Sequence, residues 1–191
     1  MSKLYIIAGP NGAGKTVASY TILPEIFNVK EFINADEIAR GISPFNSDKV
    51  GIKAGRLLVH RTRELLKENE TFAVETTLAT RSYVKLIEKA QNQGYEVILL
   101  FMSLNTMELA IKRVKTRVDE GGHNIKLEVI KRRFNSGLNN LIDIYIPIVD
   151  RWILVDNSGE EFHIIAQGDQ SELEIKNEQT WNKIKARNYG A

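Results

Sequence analysis

Three glycines, a lysine and a threonine crowd the stretch AGPNGAGKT at residues 8–16. Gly9, Pro10, Asn11, Gly12, Ala13, Gly14, Lys15 and Thr16 fit G-x-x-x-x-G-K-[ST] at every fixed position, behind the apolar run 4–8 and ahead of a helical pattern. Glycines let successive backbone N–H groups point inward, and a helix N-terminus adds partial positive charge, so the stretch suits a polyphosphate. Lys15 can reach the β- and γ-phosphates and the Thr16 hydroxyl can ligate Mg²⁺. The expected ligand is a nucleoside triphosphate, ATP or GTP, with Mg²⁺. The nucleotide-binding set is these residues together with Val17.

Two carboxylates stand where short apolar runs end. Asp36 closes the run 31–34, and Glu75 closes the run 71–76. Phosphoryl transfer to a hydroxyl needs a carboxylate to orient and deprotonate the attacking group. A helix N-cap is the other role open to Asp36. For Glu75 the alternatives are a strand-end ion pair or a magnesium contact through water. Further on, Arg113, Lys115 and Arg117 precede Gly121-Gly122-His123, and Lys131-Arg132-Arg133 follow it. Two arginine-bearing helices joined by a glycine turn, over about residues 112–134, have the makings of a lid that closes on phosphates. A solvated basic face is the bland alternative, and His123 reads as a turn residue.

The elements that must carry these groups alternate. Strands are expected at 4–8, 31–34, 71–76, 95–102, 152–155 and 162–166. Helices are expected at 14–23 (stopped by Pro24), 47–69, 82–93 (closed by Gly94), 106–118, 127–146 and 179–187. The buried stripes would be Val50, Ala54, Leu57, Leu58 and Leu65 on the second of these, and Leu127, Ile130, Phe134, Leu138 and Leu141 on the fifth. Such alternation predicts an α/β three-layer sandwich, a mainly parallel central sheet flanked by helices, formed as a single domain over 1–191. Of the 191 residues 43% are hydrophobic and 26% charged, with a net charge of +2 and no cysteine. That composition fits a cytoplasmic globular protein and excludes disulfides and thiolate metal sites. It gives no support for nucleic-acid or membrane binding.

Together AGPNGAGKT, FINADEIARGISPF, FAVETTLA, the RVKTRV–GGH–RRF segment and DNSG at 156–159 resemble the zeta-toxin family of P-loop kinases, in family order over residues 3–160. The resemblance implies a P-loop kinase fold and ATP-dependent phosphorylation of UDP-N-acetylglucosamine, restrained by a small antitoxin partner. It further implies that Asp36 is the catalytic base and that Glu75 and Thr77 contact the sugar nucleotide. By the same resemblance Arg117, with Arg132 or Arg133, acts on the phosphates. Arg113 then stacks on the base, near Asn157 and Ser158. The family's arginine two residues after the second threonine of ETT is Ala79 here, which leaves Arg81 to take that contact. Two alternatives stand beside this reading: a phosphotransferase acting on an antibiotic or metabolite hydroxyl, and a non-kinase NTPase switch. Against the switch, no apolar strand ends in a clear Walker B aspartate, since the run 95–102 passes into Ser103.

Overall fold

The structure is a computed structural model that describes residues 1–122 and 125–186. Seven strands form one sheet in the order β2-β3-β1-β4-β5-β6-β7. β1 (Lys3–Ala8), β2 (Glu31–Ile33), β3 (Phe72–Thr76), β4 (Glu96–Ser103) and β5 (Arg151–Asp156) run parallel. β6 (His163–Asp169) and β7 (Leu173–Ile175) extend the sheet antiparallel. β7 is the strand the apolar pattern does not announce, because all three of its residues are exposed. β1 and β4 lie inside the sheet, and Leu4 to Ala8 are all buried, as expected of strands covered on both faces.

The helices are α1 (Lys15–Glu25), α2 (Ala35–Ile42), α3 (Gly51–Glu68), α4 (Val84–Asn92), α5 (Met107–Asp119), α6 (Leu127–Asn140) and α7 (Glu178–Lys185). Pro24 does not stop α1 but lies inside its last turn. The amides of Ile26 and Phe27 both reach back to the Ile22 carbonyl, past the N–H that proline lacks. The expected helix 47–69 is a 3₁₀ turn, Ser47–Val50, running into α3, and Asn69 in the left-handed region (φ 56°) ends it. Leu57 is exposed while Leu66 takes a place in the core, and on α6 Leu127 is likewise exposed. The expected helix 127–146 passes from α6 into one π turn, Leu141–Tyr145. The C-terminal helix ends at Lys185, and Arg187, like His123, lies outside the described residues.

The segment after β3 is fastened from the far side. Leu78 is fully buried with φ 52°, a strained value for a branched residue. Its carbonyl accepts from Asn140 Nδ2 at 2.7 Å, and the Thr80 carbonyl accepts from the Tyr145 hydroxyl at 2.6 Å. At Gly137 a Cβ would come within 2.5 Å of the Thr77 carbonyl, so α6 lies directly on this segment.

Candidate phosphoryl-transfer site

β1 ends at Ala8, and the chain turns through 9–14 into α1. Gly9 has φ 141°, and a Cβ there would come within 2.1 Å of the Met102 carbonyl, so the turn lies flat against β4. Gly14 is the α1 N-cap at φ 79° and makes no side-chain cap bond. The first amides of α1 are thereby left to an anion. Gly9, Pro10 and Ala13 form the buried back of the turn, while Asn11, Gly12, Gly14, Lys15, Thr16 and Val17 line a cleft of about 1400 Å³. Single small-molecule sites span roughly 300–1,000 Å³, so this cleft has room for a nucleotide and an acceptor together.

Lys15 is buried, with Nζ donating to the Pro10 carbonyl at 3.0 Å and 3.7 Å from Glu75 Oε1. Burial holds its ammonium below the usual lysine range. The carboxylates of Glu75 and Asp36 oppose that shift, and Arg117 and Arg133 add to it. Glu75 reaches Lys15 because β3 pairs with β1, with Glu75 level with Ile7. Its Oε2 accepts from the Thr16 hydroxyl and from Asn34 Nδ2, both at 2.8 Å. An acidic residue at the end of the strand beside β1 is thus bonded to the phosphate-loop threonine, a carboxylate on β3 and not on the 95–102 run.

Asn34 is the site residue that sequence reasoning missed. It is the true N-cap of α2, its Oδ1 accepting from the amides of Asp36 (2.8 Å) and Glu37 (3.3 Å). Asp36 is therefore not the cap but the second residue of the helix, exposed and lining the cleft. The signal was present: an asparagine between a strand and an acidic first turn is an N-cap pattern. The Asn34 amide also spans to Thr16 Oγ1 at 3.4 Å, tying the ends of β2 and β3 to α1.

Of the arginines on α5 and α6, Arg113, Arg117 and Arg133 line the cleft. Arg133 Nη1 donates to Asn11 Oδ1 at 3.3 Å. Arg132 is exposed and absent from the lining, because its neighbour takes the inward face of α6. Arg113 donates to the carbonyls of Asn157 (2.7 Å) and Ser158 (3.0 Å), while Asn157 Nδ2 donates to the Ala13 carbonyl at 2.8 Å. Arg113 and Asn157 thus brace the phosphate loop from the β5 side. Thr77 and Arg81 do not line the cleft: Thr77 lies beneath Gly137, and Arg81 is exposed.

Mg²⁺ fits the donor set around Thr16. A hydroxyl beside one carboxylate is what this ion takes from a protein when phosphate and water supply its other ligands. Among the described residues there is no group of three or more His, Cys, Asp or Glu that could cage a metal by itself. No helix of the described residues is long and apolar enough to cross a membrane.

The zeta toxin family model matches residues 2–165. A protein of Haemophilus influenzae, uncharacterised in its own right, is 31% identical over 136 residues, 70% of this chain and 93% of that one. Among solved structures, the AvrRxo1-ORF1:ORF2 complex with ATP superposes with a TM-score of 0.80 at 19% identity, over 98% of this chain and 64% of that chain. The PezAT toxin–antitoxin system of Streptococcus pneumoniae gives 0.65 at 15% identity, over 98% and 86%. A gluconokinase of Sinorhizobium meliloti gives 0.53 at 14% identity, over 83% of each chain. At these identities the structures show the fold, that of the P-loop kinases.

Proposed function

The chain belongs to the zeta toxin family, and on that premise we propose that it transfers the γ-phosphoryl group of ATP to a hydroxyl of a small-molecule acceptor. The observation that carries this is the bonded set Lys15–Glu75–Thr16–Asn34, with Asp36 in the first turn of α2 lining the same cleft. The loop amides and Lys15 bind the β- and γ-phosphates. Thr16 and Glu75 hold Mg²⁺, which when bound neutralises charge on the transferring group. Asp36 orients the acceptor hydroxyl and takes its proton. Arg117 and Arg133 meet the charge that develops on the equatorial oxygens.

UDP-N-acetylglucosamine is the acceptor that family membership supports, and the PezAT likeness supports an antitoxin partner. A second acceptor reading, a hydroxyl compound without a diphosphate, is favoured by Ala79 and by the exposure of Arg81 away from the cleft. Incubating the protein with ATP, Mg²⁺ and a panel of UDP-sugars, sugars and amino compounds, then weighing each acceptor by mass spectrometry, tests the proposal. A gain of one phosphoryl group on one acceptor, abolished by Lys15→Ala in a folded protein, is the expected result. Transfer that survives Lys15→Ala refutes it.

A further inference from the structure

Glu75 stands between two sets of partners. Its Oε2 accepts from the Thr16 hydroxyl and from Asn34 Nδ2, both at 2.8 Å, while its Oε1 lies 3.7 Å from Lys15 Nζ. The second contact is an ion pair too long for a hydrogen bond. Both side chains are nearly buried, and a buried carboxylate gains most from a charged partner at hydrogen-bonding distance. Drawn in to about 2.8 Å, the pair would be favoured about tenfold over its present separation at an effective dielectric of about 20. Lys15 donates instead to the Pro10 carbonyl at 3.0 Å.

What holds Glu75 back is best seen at Asn34, which is buried and uses both ends of its amide. Ile33 is level with Val74 across β2 and β3, so Asn34 and Glu75 leave the two strands side by side. Asn34 Oδ1 accepts from the amides of Asp36 and Glu37 at the start of α2, which turns Nδ2 towards Glu75. The reverse orientation would set the oxygen against the Glu75 carboxylate and the NH₂ group against two N–H donors. The amide is therefore oriented by α2, not by the phosphate loop. The Thr16 hydroxyl, by contrast, turns about its own C–O bond, so Asn34 is the fixed donor of the two.

We infer that Asn34 is a positioning residue that keeps Glu75 from closing on Lys15, so that the ammonium stays available to phosphate and the carboxylate to Mg²⁺. This rests on the kinase reading above. A lysine has three N–H donors, and one of them is on the Pro10 carbonyl. A closed pair with Glu75 would occupy another and cancel the charge that the phosphates are to meet. Without the Asn34 amide, Glu75 Oε2 loses its fixed donor and the carboxylate rotates onto Lys15. A nucleotide must then break that pair before it binds.

Asn34→Ser separates the two ends of the amide: it keeps an N-cap oxygen for α2 but has no NH₂ group to reach Glu75. Asn34→Thr does the same and takes its place should the serine variant not fold. A non-hydrolysable ATP analogue is titrated by calorimetry into the wild type, Asn34→Ser, Glu75→Gln and the double variant, once with Mg²⁺ and once with EDTA. The serine change should weaken analogue binding about tenfold, in EDTA as well as in Mg²⁺, because it is Lys15 that becomes masked. With Glu75→Gln in place no carboxylate can close on Lys15, and the same change should cost less than about twofold. A loss of equal size in both backgrounds is what a purely structural cap would give, and it overturns the inference, as does unchanged binding by Asn34→Ser. A loss seen with Mg²⁺ but not in EDTA also overturns it, since Asn34 would then serve the metal alone. If the wild type fails to bind the analogue, the kinase reading falls, whereas normal wild-type binding with additive changes brings down the role of Asn34 alone.

Discussion

Replacing Glu75 by glutamine keeps the shape of the side chain and removes its charge. In the wild type one carboxylate oxygen accepts from both Thr16 and Asn34, while the other lies 3.7 Å from Lys15 Nζ. In the variant the carbonyl oxygen must stay with the two donors, so the new amide nitrogen faces the Lys15 ammonium, donor against donor. The lost attraction at that separation is about 4 kcal/mol at an effective dielectric of 20. Two charge-assisted hydrogen bonds also become neutral ones, at about 1 kcal/mol each. Relief of the cost of burying the carboxylate offsets much of this, leaving roughly 2 kcal/mol of destabilisation. The nucleotide-free protein should therefore melt about 4–8 °C lower by calorimetry. Transfer should fall roughly 10²-fold or more, with a raised Mg²⁺ requirement and little change in acceptor KM. An unchanged melting temperature would refute the bonded set. A raised acceptor KM at normal kcat and normal Mg²⁺ dependence would place Glu75 on the acceptor instead.

Asp36→Asn should lower kcat roughly 10²-fold while leaving ATP affinity within a few-fold, with turnover and nucleotide binding measured on one sample; collapse of both together would make Asp36 a nucleotide-side residue. Arg133→Ala should cost about 10³-fold in kcat and Arg132→Ala less than about twofold, and the reverse order would show that the wrong face of α6 has been assigned to the phosphates. Because burial lowers the Lys15 pKa below its unfolded value of 10.5, the unfolded chain binds more protons between the two, and stability rises with pH across that window. Lys15→Met should remove this rise from the urea-unfolding free energy of the nucleotide-free protein, and an identical pH slope in both proteins would contradict it. Tyr83, pushed up to about 12 chiefly by burial, works in the opposite sense. Its stabilising contribution, about 2–3 kcal/mol, is present below pH 10 and lost as pH rises towards 12; Tyr83→Phe should flatten that limb.

The phosphate loop is legible in the sequence because its chemistry needs glycines where the backbone crowds a neighbouring strand, and no other residue can substitute at Gly9. The parallel strands are legible for a similar reason, since β1 and β4 are covered on both faces and read as unbroken apolar runs. What local pattern does not carry is pairing. That β3 lies beside β1, so that Glu75 meets Lys15 and Thr16, depends on strand order, which no spacing along the chain encodes. Asn34 escapes notice because a capping residue looks ordinary until its second hydrogen bond is seen. Arg132 and Arg133 are adjacent in a helix, and only the packing of Gly137 and Asn140 fixes which of them turns inward. β7 gives no signal because its three residues bury nothing.

The grip of α6 on the segment after β3 has a mechanical consequence. Gly137, Asn140 and Tyr145 hold the 77–80 backbone, and Arg133 on the same helix is bonded to Asn11 of the phosphate loop. A swing of α6 would have to break these contacts together and draw Leu78 out of the core. α6 is accordingly a fixed jaw. In the proposed transfer reaction, closure would then fall to the end of α5 and the turn as far as Gly122, which would carry Arg117 towards an arginine already in place. Hydrogen exchange should report that asymmetry directly: ATP with Mg²⁺ should slow the amides of 115–122 by a larger factor than those of 130–140, whose protection is present before any ligand arrives.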